Sequence, residues 1–168
     1  EGITSRETNK SGTSKTQLSA LKKAAESANK VLGVDRVELF SFPDNKMDSV
    51  ALLDVVKTVE ALVKKYKPDV VYTHHRSDLN IDHVYVHDAV LTACRPQPGS
   101  PTKQILFFEV QSSTEWRVPG TMPTFAPNWF VDVSKTLKLK LKALEAYASE
   151  MRPWPHARSI QALEHLAR

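Results

Sequence analysis

The sequence contains one cysteine, Cys94, and no long apolar run. A single cysteine excludes a disulfide-stapled fold and a metal site built from several thiolates. No apolar stretch approaches the roughly 18 residues of a transmembrane helix, so we predict no membrane span. The longest apolar patches, 50–53 and 70–72, have the length of core segments. With no recognisable signal peptide, the free thiol favours a cytoplasmic location.

Strong charge of one sign is also absent. The chain carries 23 Lys and Arg against 19 Asp and Glu, a formal net charge of +4. The basic residues are spread over helical patterns without interleaved aromatic residues, which argues against a nucleic-acid-binding surface. The sequence has only five glycines and neither a GxGxxG run nor a P-loop, so a generic dinucleotide-cofactor enzyme is a weak interpretation.

Periodic apolar residues predict an α/β protein. Spacings of three and four residues predict helices at 15–32, 49–66, 83–94, 134–147 and 159–168. Alternating or continuous β-branched and aromatic residues predict strands at 36–42, 69–73, 104–110 and 128–133. The nearly continuous apolar run at 69–73 is typical of a strand buried on both faces. Strands alternating with helices indicate a mostly parallel sheet, and 168 residues are enough for a single domain, 1–168.

The segment 73–87 (THHRSDLNIDHVYVH) concentrates the chemically active side chains. It holds four of the six histidines, together with Asp78 and Asp82, directly after a predicted strand. In open α/β sheets, ligand sites lie outside the carboxyl ends of the strands. Neutral imidazole and carboxylate are the usual ligands of catalytic zinc. The segment therefore predicts a metal or catalytic site, and a polar loop with capping Asp residues is the alternative.

The four histidines of this segment are expected to differ in role. His83 and His87 are four residues apart, but the HExxH glutamate is absent between them. We favour His83 as the metal ligand and His87 as a packing or supporting residue. One of His74 and His75 is expected to point into the site. Asp78 suits a turn or a helix cap as well as catalysis.

The run at 73–83, with the following VHDAVL at 86–91, resembles the second sequence signature of the LmbE-like, or PIG-L, de-N-acetylases. The segments 32–48, 126–147 and 149–159 are similar to other parts of that family, so the resemblance covers nearly the whole chain. It implies a Rossmann-like three-layer α/β sandwich that binds one zinc ion, or another divalent metal. It also implies hydrolysis of an N-acetylated amino sugar or its conjugate to acetate and a free amine, with a carboxylate as general base.

The resemblance also assigns roles to individual residues. His83 takes the place of a zinc ligand, and Asp82 that of its supporting neighbour. Asp44 falls where the family has a carboxylate that contacts the substrate. Asn80 stands where the family commonly has a histidine that assists the oxyanion, and its amide could donate a hydrogen bond there. His74, His75 or Arg76 could replace it, and His74 and Arg76 are also candidates for substrate binding.

One family feature is absent from the sequence. The His-Pro-Asp-Asp run, which supplies two zinc ligands and the general base in the family, does not occur. We therefore expect a partial domain that lacks about 40–50 residues at its N-terminus, judged by ordinary βαβ lengths, and also a final strand. The alternative is a non-catalytic carbohydrate or nucleotide-sugar binding module derived from the same fold. The sequence does not indicate an oligomeric state.

Overall fold

The computed structural model describes residues 15–120 and 122–168. These described residues form five α-helices and two strands, in chain order α1 (Lys15–Leu32), α2 (Leu52–Tyr66), β1 (Val70–His74), α3 (Ile81–Ala93), β2 (Gln104–Phe108), α4 (Leu137–Leu144) and α5 (Ile160–Leu166). These elements form two compact units. The first unit comprises the described residues up to Ser41 together with Pro127–Arg168, and the second comprises Phe42–Ala126.

The first unit is helical. The predicted bounds of α1 are confirmed, and Gly33 ends this helix in the left-handed region with φ of 73°. The amide of Val34 then donates to the carbonyl of Asn29 at 2.9 Å, which satisfies one of the last helix carbonyls. α1 packs against α4 and the 3-10 turn Glu145–Tyr147 that continues α4.

Three predicted helix starts are corrected by the structure. α2 begins at Leu52, because Ser49 lies in the 3-10 turn Met47–Ser49 and caps no helix. α4 begins at Leu137 rather than Ser134. α3 begins two residues earlier than predicted, at Ile81. The predicted start of α5 is confirmed, since Ser159 is its N-cap and accepts from the Ala162 amide at 3.0 Å, and the helix ends at Leu166 rather than Arg168.

The predicted strands at 36–42 and 128–133 are wrong. Both segments have irregular backbone. A strand is defined by hydrogen bonds to a neighbouring strand, and among the described residues neither segment has one. Their aromatic side chains are correspondingly exposed, by 52% for Phe40 and 81% for Phe130. The alternating pattern therefore identified segments that could form strands, but it did not identify a neighbouring strand for either of them to pair with.

The second unit contains the sheet. β1 and β2 are parallel, in a register that runs from Val70 opposite Gln104 to His74 opposite Phe108. The chain passes from β1 to β2 through α3, which confirms an α/β fold with a parallel sheet. The prediction that β1 is buried on both faces is wrong, because Val70 and Tyr72 are exposed by 41% and 62%.

A small apolar core joins α2 to α3. Its buried members are Met47, Val55, Val56 and Ala89. Because Met47 precedes α2 and Ala89 lies in the middle of α3, the core fixes α3 and the segment before α2 against each other. No helix in the described part of the chain has the length and apolarity needed to cross a membrane.

Candidate functional site

The loop between β1 and α3 is built by side chains that hydrogen-bond to nearby backbone amides. Asp78 accepts from the Asn80 amide at 2.8 Å, and Asn80 in turn accepts from the Asp82 amide at 2.8 Å. The second bond makes Asn80 the N-cap of α3. As a result, His83 lies in the first turn of α3, close to the end of β1.

Asp78 is fully buried at the centre of the candidate site. Its carboxylate accepts hydrogen bonds from the hydroxyl of Ser113 and, at 2.9 Å, from the hydroxyl of Thr114. The Nδ1 atom of His83 lies 3.0 Å from Asp78 Oδ1. Since β1 and β2 are parallel, the segments that follow them emerge at the same edge of the sheet, and Asp78 joins the two.

The environment of Asp78 keeps it ionised. Burial opposes ionisation, but the nearby His83 ring and the hydrogen bonds from Ser113 and the Asn80 amide outweigh it and lower the pKa of Asp78 to about 2. The carboxylate is therefore a fixed negative charge beside the His83 ring.

His74 and His83 face each other across this cluster. Their rings are stacked with centroids 4.0 Å apart. Burial, followed by repulsion from His83, lowers the pKa of His74 to about 4, so its imidazole is neutral at pH 7. Its Nδ1 atom is buried and has no hydrogen-bond partner among the described residues.

The other two histidines of the segment pack against phenylalanine rings. His87 is buried, its Nδ1 lies 2.8 Å from the His74 carbonyl oxygen, and its ring lies 4.9 Å from that of Phe107. His75 accepts from the Ser77 amide at 3.2 Å and contacts Phe107 and Phe125. Of the pair His74 and His75, the structure therefore places His74 next to His83.

Asp82 contacts a different part of the unit. Its two carboxylate oxygens accept from the amides of Asn45, at 2.6 Å, and Met47, at 3.0 Å. The carboxylate beside the His83 ring is that of Asp78, although the resemblance had assigned a supporting role to Asp82. Asp44 lies next to Asn45, in a turn that the Lys46 amide closes on the Pro43 carbonyl at 3.4 Å.

Arg76 forms an ion pair with Asp88 of α3. Both side chains are partly exposed, by 42% and 30%. The structure brings together His74, Asp78, Asn80 and His83, and it pairs Arg76, in the loop before α3, with Asp88 of that helix.

Sequence reasoning missed Ser113 and Thr114. Both are buried, and Thr114 also accepts from the Val110 amide at 2.7 Å. They lie in the segment 111–127, where the sequence predicts neither a helix nor a strand. Their position just beyond the carboxyl end of β2 was the available signal, because that end lies at the same edge as the end of β1.

His83 can supply one ligand atom to a metal ion. The Asp78 carboxylate, 3.0 Å from Nδ1, favours a proton on that nitrogen and so leaves Nε2 as the atom that can bind a metal. The described residues contain no group of three or more His, Cys, Asp or Glu side chains placed to hold a metal ion. This part of the protein therefore fits one ligand and its supporting carboxylate, and does not itself complete a metal site.

Two comparisons connect the chain to known proteins. It is 31% identical over 131 residues to a protein from Escherichia coli (strain K12) described as "Uncharacterized deacetylase YaiS", covering 74% of this chain and 63% of that protein. The crystal structure of the conserved protein TT1542 from Thermus thermophilus has the same fold, with a TM-score of 0.64 and 21% identity over 94% of this chain and 66% of that one. The chain thus spans slightly less than two thirds of the length of each relative.

A family model gives the most direct assignment. The model described as "GlcNAc-PI de-N-acetylase", PIG-L, matches residues 3–94, more than half of the chain. The match includes β1, the loop that carries Asp78, and the whole of α3 with His83. The chain therefore belongs to the PIG-L family of GlcNAc-PI de-N-acetylases.

Proposed function

We propose that the full-length protein is a zinc-dependent cytoplasmic hydrolase that removes the acetyl group from an N-acetylated amino sugar or its conjugate. The products are acetate and a free amine. The family match and the deacetylase relative support the reaction class. The observation that carries the proposal for this chain is the pairing of a fully buried Asp78 with the His83 ring at the carboxyl end of β1.

The Asp78–His83 pair suits a metal-binding role. Asp78 holds a permanent charge beside Nδ1 and thereby favours the ring form with a metal-binding Nε2. A bound divalent ion would polarise the amide carbonyl and lower the pKa of a coordinated water. The stacked ring of His74 is neutral at pH 7, so it adds no positive charge next to that ion.

Two further side chains are suited to the substrate. The Asn80 cap uses Oδ1, so the amide Nδ2 is the group that would donate to the oxygen of the reacting acetyl group. The buried, unpartnered Nδ1 of His74 is a polar atom that a bound sugar could satisfy. Arg76, which pairs with Asp88 of α3, would contact the rest of the sugar or its conjugate, and so would Asp44, in the 43–46 turn.

Metal content tests the zinc proposal directly. We expect elemental analysis of the full-length protein to give about one zinc per chain, and His83→Ala to lose most of it. His165→Ala is the matched control, because His165 is exposed in α5 and belongs, with the Trp154 ring 5.7 Å from it, to the unit that does not contain His83. Unchanged zinc in His83→Ala would remove His83 from the metal site.

Acetate release tests the reaction. We expect the zinc-loaded full-length protein to liberate acetate from an N-acetylated amino sugar such as N-acetylglucosamine or a conjugate of it. His83→Ala should abolish the release, and His165→Ala should retain it. Tight sugar binding without acetate release would instead identify a non-catalytic sugar-binding module.

A further inference from the structure

The turn at 43–47 is tied to the first turn of α3 by one side chain. Both carboxylate oxygens of Asp82 are used, one by the Asn45 amide at 2.6 Å and the other by the Met47 amide at 3.0 Å. The residues joined are 35 and 37 positions apart in the chain. Asp82 therefore closes a long-range contact between the segment before α2 and the start of α3.

Other contacts hold the same segment in one conformation. The Met47 side chain is buried in the core with Val55 and Ala89. One turn along α3 from Asp82, the Tyr85 hydroxyl lies 3.4 Å from the Asp48 carbonyl oxygen to which it donates. Asn45 has φ of 52°, so the turn passes through the left-handed region and presents its amide to Asp82. The segment is thus fixed at one end by the core, and Asp82 fixes the backbone that leads to Asp44.

The chemistry of Asp82 suits holding a backbone better than moving a proton. A carboxylate that accepts two amide hydrogens forms charge-assisted hydrogen bonds, which are stronger than neutral ones. Its position in the first turn of α3 adds the favourable field of a helix N-terminus. With each oxygen engaged by a backbone amide, the carboxylate stays fixed while the turn it holds remains at the surface.

We propose that Asp82 is a positioning residue, whose carboxylate holds the turn at Asp44–Lys46 in the conformation that recognises the sugar substrate. The substrate part rests on the proposed function, whereas the holding of the turn stands on the geometry alone. Asp82 directly precedes His83 in α3, so a turn tied to Asp82 borders the site where His83 lies. Asp44 and Lys46 would supply a carboxylate and an ammonium group to the hydroxyl groups of a sugar.

Amide hydrogen exchange tests the positioning without reference to activity. In full-length Asp82→Asn, the asparagine side chain keeps one oxygen that accepts from a backbone N–H. Its NH₂ group is itself a donor and faces the second backbone N–H, which loses its acceptor. We expect exchange at the Asn45 and Met47 amides to accelerate by at least about tenfold, with amides inside α2 and α3 unchanged. Asp54→Asn is the matched control, because Asp54 is an exposed acidic residue in the first turn of α2. Unchanged exchange at both amides in Asp82→Asn would overturn the proposal.

Steady-state kinetics on N-acetylglucosamine tests the role in recognition. We expect Asp82→Asn to raise KM by about tenfold with kcat within about threefold of wild type, the pattern of lost substrate binding. Asp54→Asn should leave both constants unchanged. A fall in kcat of a hundredfold or more with unchanged KM and unchanged exchange would assign Asp82 to proton transfer and overturn the proposal.

A second variant and a second measurement test the proposal if the first ones fail. If Asp82→Asn does not fold, Asp82→Ser replaces it, because serine suits a helix start and withdraws both carboxylate acceptors. If the wild-type protein releases no acetate, the proposed function fails; sugar affinity measured by calorimetry then takes the place of KM. An affinity for N-acetylglucosamine that is unchanged in a variant with accelerated exchange would overturn the recognition role of the turn.

Discussion

The imidazole rings of His74 and His83 are stacked, with their planes only 11° from parallel. His74 is the last residue of β1 and His83 lies in the first turn of α3, so the stack joins the strand to the helix. Burial is the main reason that the pKa of His74 falls to about 4, and repulsion from His83 comes second. The His74 ring therefore packs as a neutral aromatic surface at pH 7, while its Nδ1 atom has no partner among the described residues.

His74→Phe should leave the free energy of unfolding unchanged or raise it by up to about 1 kcal/mol. Phenylalanine keeps an aromatic face against His83 and Phe108 and removes a buried nitrogen that makes no hydrogen bond. Urea unfolding of the full-length protein measures the change. His87→Phe is the matched comparison and should cost about 1–2 kcal/mol, because His87 Nδ1 lies 2.8 Å from a carbonyl oxygen that would lose its partner. Equal losses in both variants would contradict this distinction.

Thr114→Val should destabilise the protein by about 2–3 kcal/mol. The substitution preserves shape but removes the hydroxyl that donates to Asp78 at 2.9 Å and accepts from the Val110 amide at 2.7 Å, leaving two polar groups short of a partner. Thr92→Val is the control: Thr92 is exposed on α3, and we expect a change of less than about 0.5 kcal/mol in urea unfolding. A cost for Thr114→Val as small as that of the control would mean that water replaces the lost hydroxyl.

The elements with strong local signals were predictable from the sequence. α1 has the predicted bounds because its apolar spacing is regular and Gly33 permits the left-handed end. The gathering of polar side chains at the end of β1 was also predictable, since they directly follow the buried Thr73 in the sequence. Both signals lie within a few residues of the feature that they predict.

The features set by distant contacts were not predictable. The burial of Asp78 depends on Ser113 and Thr114, which are 35 and 36 residues further along the chain. The family resemblance assigned Asp82 a role beside His83, and its carboxylate accepts hydrogen bonds from the amides of Asn45 and Met47, more than thirty residues before it. Hydrogen bonds of this kind are fixed by the fold, and one sequence does not reveal which carboxylate of a motif will meet which partner.

Asn80 is expected to have two separable roles. Asn80→Ser keeps an N-cap oxygen for the Asp82 amide, so stability should change by less than about 0.5 kcal/mol, whereas Asn80→Ala should lose about 1 kcal/mol. If Nδ2 donates to the developing oxyanion, both variants should lose roughly a hundredfold in kcat with little change in KM. Stability from urea unfolding and kinetics on the full-length protein separate the two effects. Wild-type kcat in a folded Asn80→Ser variant would limit Asn80 to capping.

Cys94 should resist alkylation in the folded protein. It lies at the end of α3, is 4% exposed, and its burial raises the pKa of the thiol above the usual value of 9.0. Because only the thiolate reacts, iodoacetamide at pH 8 should modify the native protein at least about tenfold more slowly than the urea-unfolded protein. Raising the pH should accelerate the native reaction over a more alkaline range than the unfolded one, since the folded thiol gives up its proton later. Mass spectrometry measures the rate, and Cys94→Ser confirms the site. Equal rates in the native and unfolded protein would mean that the end of α3 opens readily, and would place the least stable part of the second unit there.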